Sequence, residues 1–211
     1  MQDKQNISKS VIRRLPRYYR FLEELRRSGR EKISSRELSE SMRLTASQIR
    51  QDLNCFGGFG QQGYGYNVSE LCSRIGEILG LDGERKAVLI GAGNLGRAVS
   101  QHIEFSNCGF RLIGIFDRDE AVIGEAVAGV HIRRVECLRD FCETNTPEMA
   151  VLCVPRESAK DLVRTLWSVN VRTFWNFSHY DILADYPKAT VENVHLTDSL
   201  MTLSYGIKNC D

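Results

Sequence analysis

The first chemistry-bearing group in this 211-residue chain is the run Gly91-Ala92-Gly93-Asn94-Leu95-Gly96. It joins a short apolar stretch, Lys86 to Ile90, to an amphipathic one, GRAVSQHIEF. In such a strand-to-helix turn the three glycines have separate tasks. The first permits the sharp turn, the second lets the backbone approach a pyrophosphate, and the third lets helix and strand pack; the helix N-terminus attracts the phosphates. GxGxxG alone is a weak signal. Here a second apolar stretch, Arg111 to Phe116, ends in Asp117, 21 residues past Gly96. A carboxylate there accepts hydrogen bonds from the adenosine ribose and repels a 2′-phosphate, so NAD(H) is favoured over NADP(H), a preference that Arg118 tempers slightly. Val154-Pro155 and Asn176-Phe177 fall at the ends of two more strand-like stretches, where ligands of parallel sheets bind. They are candidates for the nicotinamide side, and a plain structural role stands beside that reading.

A second group, Ser47, Gln48, Arg50 and Gln51, lies at the start of ASQIRQDLNCF, whose inward face carries Ile49, Leu53 and Phe56. Arg pairs with guanine and Gln with adenine in the major groove, so these side chains suit base reading if the helix is the second of a helix-turn-helix. An ordinary helical hairpin with a polar exterior is the alternative.

The elements that would position both groups follow from pattern. Ile12, Leu15, Tyr19, Leu22 and Leu25 keep a helical period, with Pro16 expected in the first turn of the main helix and Gly29 at its end. Ser34-Ser35-Arg36-Glu37 and Thr45-Ala46-Ser47-Gln48 both have capping-box spacing, and only Arg43-Leu44 separates the two short helices they open. The glycine-rich GGFGQQGYGYNV suits a hairpin wing, and residues 69–79, stopped by Gly80, close the domain ahead of the linker LDGER. Beyond it, a helix around Val135 to Thr144, a strand Met149 to Val154, a helix Ser158 to Val169 and a strand Val171 to Phe177 predict a parallel, doubly wound sheet. The expected organisation is a winged helix-turn-helix over residues 1–82, a Rossmann domain over 83–195 and a C-terminal helix over 196–211.

Composition limits the function classes. Residues 1–80 hold 14 Lys and Arg against 9 Asp and Glu, net +5, and residues 81–211 balance at −4. A basic first segment on an otherwise acidic chain suits a nucleic-acid contact, although a solvated arginine-rich helix gives the same sum. No membrane span or secretory leader is expected, and the cytoplasm is the expected location. Seven cysteines without CxxC or Cys/His spacing predict reduced thiols and no metal site, with a redox-active thiol as the lesser alternative. After Phe177 only 34 residues remain, too few for a second catalytic domain. His102 and His179 are the proton-transfer candidates outside that pattern, and a lone histidine is more often structural, so no enzyme is expected.

RLPRYYRFLEEL, ISSRELSESMRLTASQIRQDLNCFG, GYGYNV, VLIGAGNLGRA, FDRD, VPRESA, NFS and VENVHLTDSLMTLSY together resemble the Rex family of redox-sensing transcriptional repressors over nearly the whole chain. The resemblance implies a homodimer on palindromic operator DNA, its C-terminal helix, Thr197 to Tyr205, crossing to the other subunit. It implies release when NADH closes the dimer, NAD+ competing without that effect. Two half-site helices must reach successive major grooves about 34 Å apart, so a modest rotation loses one of them. DNA contacts are implied for Arg13, Arg14 and Arg17, for Ser47, Gln48, Arg50 and Gln51, and for Gln62 and Tyr64 of the wing.

The chain departs from the family pattern in two places. Gln51, Gln61 and Gln62 stand where Lys or Arg is usual, which lowers the phosphate-contacting charge. His102 stands where tyrosine is common and His195 where aspartate is, while Arg20 matches. An aspartate–arginine link would hold the NADH-closed form, and a histidine cannot supply its negative charge, so weakened or pH-dependent coupling is expected. An NAD(H)-binding interaction module with weakened DNA binding is the alternative function.

Overall fold

The computed structural model describes residues 7–57 and 65–208. The chain divides into two compact units, Met1–Asp82 and Gly83–Asp211.

Among the described residues the first unit has four helices and a small antiparallel pair. Helix α1 (Lys9–Arg27) is capped by the Ser8 side chain, which accepts from the Val11 N–H. It buries Val11, Leu15, Tyr18 and Leu22, so the buried stripe is rotated from the expected one, and Ile12 is exposed. Pro16 lies well inside α1 rather than in its first turn. A proline there forfeits one helical hydrogen bond at about 3 kcal/mol, and the cost is borne because the freed carbonyl belongs to exposed Ile12 while the opposite face is anchored in the core. Strand β1 (Lys32–Ile33) leads to α2 (Ser35–Met42), whose Ser34–Glu37 capping box forms in both directions. Arg43 turns left-handed, and α3 (Ala46–Asn54) starts from Thr45, which accepts from the Gln48 N–H. The reciprocal half of that second box does not form, because the Gln48 amide is held by Asp52 instead. Strand β2 (Tyr66–Asn67) pairs antiparallel with β1, and α4 (Val68–Leu79) packs against α1 until Gly80 ends it. Gln61, Gln62 and Tyr64 of the wing lie outside the described residues.

In the second unit, β3 (Arg85–Ile90), α5 (Asn94–His102) and β4 (Phe110–Asp117) form the first βαβ turn. There follow β5 (Ala126–Val127), β6 (Val130–Arg134), α6 (Leu138–Asn145), β7 (Met149–Leu152), α7 (Arg156–Ser168) and β8 (Thr173–Asn176). The chain ends through α8 (Ile182–Asp185), β9 (Thr190–Asn193) and α9 (Leu196–Lys208). The sheet order is β5-β6-β4-β3-β7-β8-β9, parallel throughout except for the β5–β6 edge hairpin. Counting the parallel strands in chain order gives 3-2-1-4-5-6, the dinucleotide-binding order, in which the crevice opens between the first and fourth strands, here β3 and β7. Three of these strands, β5, β6 and β9, were not expected from sequence. They are short elements at the sheet edges or next to one, exposed at most of their positions, so they carry no apolar run.

Among the described residues no helix is long and apolar enough to cross a membrane, and no group of three or more His, Cys, Asp or Glu is placed to hold a metal ion. Burial pushes the thiols of buried Cys72 and Cys142 up to about 11 and that of half-buried Cys153 up to about 12, which favours the protonated form in all three.

Candidate nucleotide pocket and nucleic-acid interface

Buried apolar strands β3 and β7 run side by side and stop at the same level, leaving their following loops to wall a cavity of about 540 Å3. Gly91 stands at the end of β3 with φ +99°, and a Cβ there would lie 2.3 Å from the Cys153 carbonyl oxygen of the neighbouring loop. A Cβ on Gly96 would lie 1.8 Å from the Gly91 oxygen, so α5 can start this close to β3 only with glycine at that position. A Cβ on Gly93 would meet nothing within 4 Å: its outer side is open, as an approaching phosphate requires. The N–H groups of Gly93, Asn94 and Leu95 have no acceptor among the described residues. Three free donors at the positive end of a helix dipole form an anion cradle.

Asp117 ends β4, where its Oδ2 accepts from the Ala92 N–H at 2.5 Å and its Oδ1 from the N–H groups of Arg118 and Asp119 at 2.7 and 3.0 Å. The carboxylate therefore braces the glycine turn as well as facing the cavity, with about one acceptor site left for a hydroxyl donor. Arg97 adds a second brace, donating to the Ala92 carbonyl at 3.0 Å and to Glu125 at 2.6 Å.

Of the sequence candidates, Gly91, Ala92, Gly93, Asp117, Arg118, Val154 and Pro155 line the cavity. Asn94, Leu95 and Gly96 form the helix start beside it. Asn176 and Phe177 are not brought into it. Asn176 is buried at 1% exposure and spends its amide on the Tyr180 carbonyl, Asn193, Ser178 N–H and Ser178 Oγ, which cross-links β8 to β9. Phe177 packs against Trp175 with its ring tilted by 59° and the centroids 4.9 Å apart. Sequence reasoning missed Asp119, Val122, Val135, Ser158, Asp161 and Leu162, which complete the lining together with Ile90 and Cys153. The second carboxylate, Asp119, beside Asp117 adds to the repulsion of a 2′-phosphate. The apolar trio Val122, Val135 and Leu162 suits a flat aromatic base.

In the first unit, exposed Ser47 and Arg50 and half-buried Gln48 lie on α3. Gln51 is also exposed, and Arg50 reaches Ser35 Oγ at 3.2 Å. Arg14 and Arg17, expected to meet DNA, are engaged within the fold. Arg14 grips buried Asp52 through Nε and Nη2 at 2.6 and 2.7 Å, and Arg17 donates to the Met42 carbonyl at 2.5 Å, satisfying the end of α2. Arg13 has no such partner among the described residues and is exposed.

Residues 6–54 match the family described as "Putative DNA-binding protein N-terminus", and residues 82–180 the one described as "CoA binding domain". The chain is 48% identical over 212 residues to a "Redox-sensing transcriptional repressor Rex" of Clostridium perfringens, covering 100% of this chain and 99% of that protein. It is 48% identical over 207 residues to the protein of that name in Thermoanaerobacter pseudethanolicus, covering 98% and 92%. The crystal structure of RSP in complex with beta-NAD+ and operator DNA superposes with a TM-score of 0.88 at 47% identity, covering 97% of this chain and 94% of that one. RSP in complex with beta-NADH gives 0.87 at 45%, covering 97% and 95%. The chain belongs to the Rex family of redox-sensing transcriptional repressors.

Three residues of this Rex-family chain are matched to the family's switch by resemblance, and each is placed within its own unit. Arg20 is exposed on α1, His102 is the exposed last residue of α5, and His195 precedes α9. His195 is not isolated: its ring stacks on His179 with centroids 4.6 Å apart and their Nδ1 atoms at 2.5 Å. Helix α9 buries none of its side chains; Leu196, Leu200, Met201, Leu203, Tyr205 and Ile207 are all exposed.

Proposed function

We propose that this chain binds operator DNA through α3 as a homodimer and leaves it when NADH fills the cavity beside Gly93 and Asp117. The observation that carries the reading is the open glycine cradle with three free amides next to a fixed carboxylate, on the same chain as a helix-turn-helix. The relatives named above supply the pairing of ligands: RSP is described with beta-NAD+ and operator DNA, and with beta-NADH. The division into residues 1–82 for DNA, 83–195 for the nucleotide and 196–211 for dimerisation follows from the same reading, as does a cytoplasmic location. The exposed apolar side of α9 supports dimerisation, since a run of that kind is seldom left in water. Crossing of α9 to the second subunit is part of the proposal.

A ligand moves DNA affinity only by binding one dimer conformation more tightly than the other. Arg20, His102 and His195 are the proposed switch, with His195 packed against His179. Exposed Gln51 in place of a basic residue favours a second reading, an NAD(H)-binding interaction module with weakened DNA contact.

Fluorescence anisotropy of the operator duplex used in the RSP complex, with and without NADH or NAD+ at fixed salt, decides between them. Tight binding released by NADH supports the repressor, and its repetition at about pH 6 and about pH 8 reads the histidine contribution. Binding indifferent to NADH removes the switch, and absence of binding leaves the interaction module.

A further inference from the structure

Asp52 lies on α3 with 1% exposure, and four donors converge on it. Arg14 Nε and Nη2 approach at 2.6 and 2.7 Å, the Tyr18 hydroxyl at 2.8 Å, and Gln48 Nε2, one turn earlier on α3, at 2.8 Å. Burial alone would push this carboxyl up, but the hydrogen bonds from Arg14, Tyr18 and Gln48 outweigh it and hold the group below its ordinary value. It is therefore ionised at neutral pH and acts only as an acceptor. Three of the four donors come from two residues of α1, so the cluster also fixes the rotation of α3 against α1.

We propose that Asp52 is a positioning residue that sets which edge of the Gln48 amide faces the DNA, and so which base Gln48 selects. The inference rests on the DNA-binding reading above. A glutamine amide has a donor end and an acceptor end, and a free one rotates to suit whichever base it meets. An ionised carboxylate beside it admits only the NH2 group. The orientation of Gln48 is thus dictated before DNA arrives, and its carbonyl Oε1 is left with no partner among the described residues. In the major groove an outward acceptor meets a donor: the N6 amine of adenine or the N4 amine of cytosine. Keto oxygens of thymine and guanine meet it unfavourably. Gln48 therefore selects an amine-bearing base edge without paying for rotamer ordering on binding, and the Arg14 guanidinium acts through Asp52 rather than on phosphate.

The test measures anisotropy of the RSP operator duplex and of duplexes with one half-site base pair replaced at a time, with the wild-type chain, Gln48→Ala and Asp52→Asn. Gln48→Ala identifies its base pair by losing about tenfold discrimination there. Asp52→Asn, whose amide can accept or donate, is expected to lose most of that discrimination at the same pair while keeping it elsewhere. Because it also frees the Arg14 charge, its binding to unrelated duplex should hold or rise. Retained discrimination at that pair, or an equal loss on every duplex, overturns the proposal. Should Asp52→Asn fail to fold, the wild-type Gln48 side-chain amide, identified by its absence from the NMR spectrum of Gln48→Ala, carries the test. Slow hydrogen exchange that persists on adding operator supports the proposal, and exchange as fast as that of an exposed glutamine overturns it. Failure of the wild-type chain to bind any duplex would overturn the DNA-binding reading along with it.

Discussion

Gly93→Ala separates nucleotide binding from folding more cleanly than any other change in the glycine turn. Gly93 has φ −70° and ψ −170°, extended backbone open to any residue, and a Cβ there touches nothing within 4 Å. Replacing glycine by alanine at a compatible position stabilises by about 0.4–1 kcal/mol through the unfolded chain. Gly93 is also the N-cap of α5, where alanine is less favourable than glycine by about 0.5–1 kcal/mol. The two effects cancel to within about 0.5 kcal/mol, which corresponds to a melting shift of no more than about 2 °C. The methyl group, however, fills the space a pyrophosphate needs. Pushing the phosphate off one of the three free amides forfeits a charge-assisted hydrogen bond of about 1.5–3 kcal/mol. NADH affinity should fall about 10- to 150-fold. Gly96→Ala is the opposite case: its Cβ, 1.8 Å from the Gly91 oxygen, must displace backbone. Overpacking of that kind costs about 3 kcal/mol, and the second unit should melt roughly 6–12 °C lower. Titration of NADH fluorescence beside a thermal melt reads both. Wild-type NADH affinity in Gly93→Ala, or a melting loss equal to that of Gly96→Ala, would refute the assignment of this loop to phosphate.

Asp117→Asn should narrow the preference for NADH over NADPH about tenfold, roughly one pKa unit's worth of charge interaction, in competition titrations. Asp52 has its carboxyl lowered in the fold, so its stabilisation is complete above the unfolded value near about pH 4 and is lost as pH falls through the folded one. Acid titration of the first unit's melting temperature should show that loss, and Asp52→Asn, destabilised by about 3 kcal/mol at neutral pH, should flatten it. Leu200→Glu, on a residue 66% exposed along α9, should leave the chain folded by circular dichroism and shift it to a monomer in size-exclusion chromatography. The logarithm of operator affinity should fall against the logarithm of salt with a slope of about −2.7 to −4.5 per subunit, from about three to five arginines at phosphates.

The glycine turn, Asp117 and both strands around them were legible because each glycine answers to a local demand that sequence spacing encodes. What escaped the sequence depended on partners far along the chain. The expected stripe on α1 placed Ile12 inside, because Val11 and Tyr18 fit the period equally well and only contact with α3 and α4 chooses between them. β9 reads Thr-Val-Glu-Asn, and its pairing with β8 is secured by the Asn176–Asn193 side-chain bond that no periodicity announces. Asn176 looked like a pocket residue for the reason that makes it structural: a polar group at a strand end needs partners, and here the protein supplies all of them. Asp119, Asp161 and Leu162 line the cavity from loop and helix positions whose direction is set only once the sheet order is fixed.

The arginines of the first unit show the same limit and resolve it. Counting charge gives residues 1–80 a surplus but not its address. In the fold, Arg14, Arg26, Arg27, Arg30, Arg36 and Arg74 are neutralised by carboxylates. Arg13, Arg17, Arg20, Arg43 and Arg50 have no carboxylate partner among the described residues. Positions 13, 17 and 20 share one face of α1 by helical spacing. The Arg17 bond to the Met42 carbonyl sets that face beside the turn that Arg43 occupies on the way into α3, and the Arg50 bond to Ser35 ties α3 back to the start of α2. The surplus is therefore gathered along the helix-turn-helix rather than spread over the unit. A local field of this kind keeps attracting phosphate when single contacts such as that of Gln51 carry no charge, because counterion release depends on the cations near the duplex and not on any one of them. The glutamine departures thus lower the salt slope without removing it, and the reading of this unit as a DNA-binding module survives them.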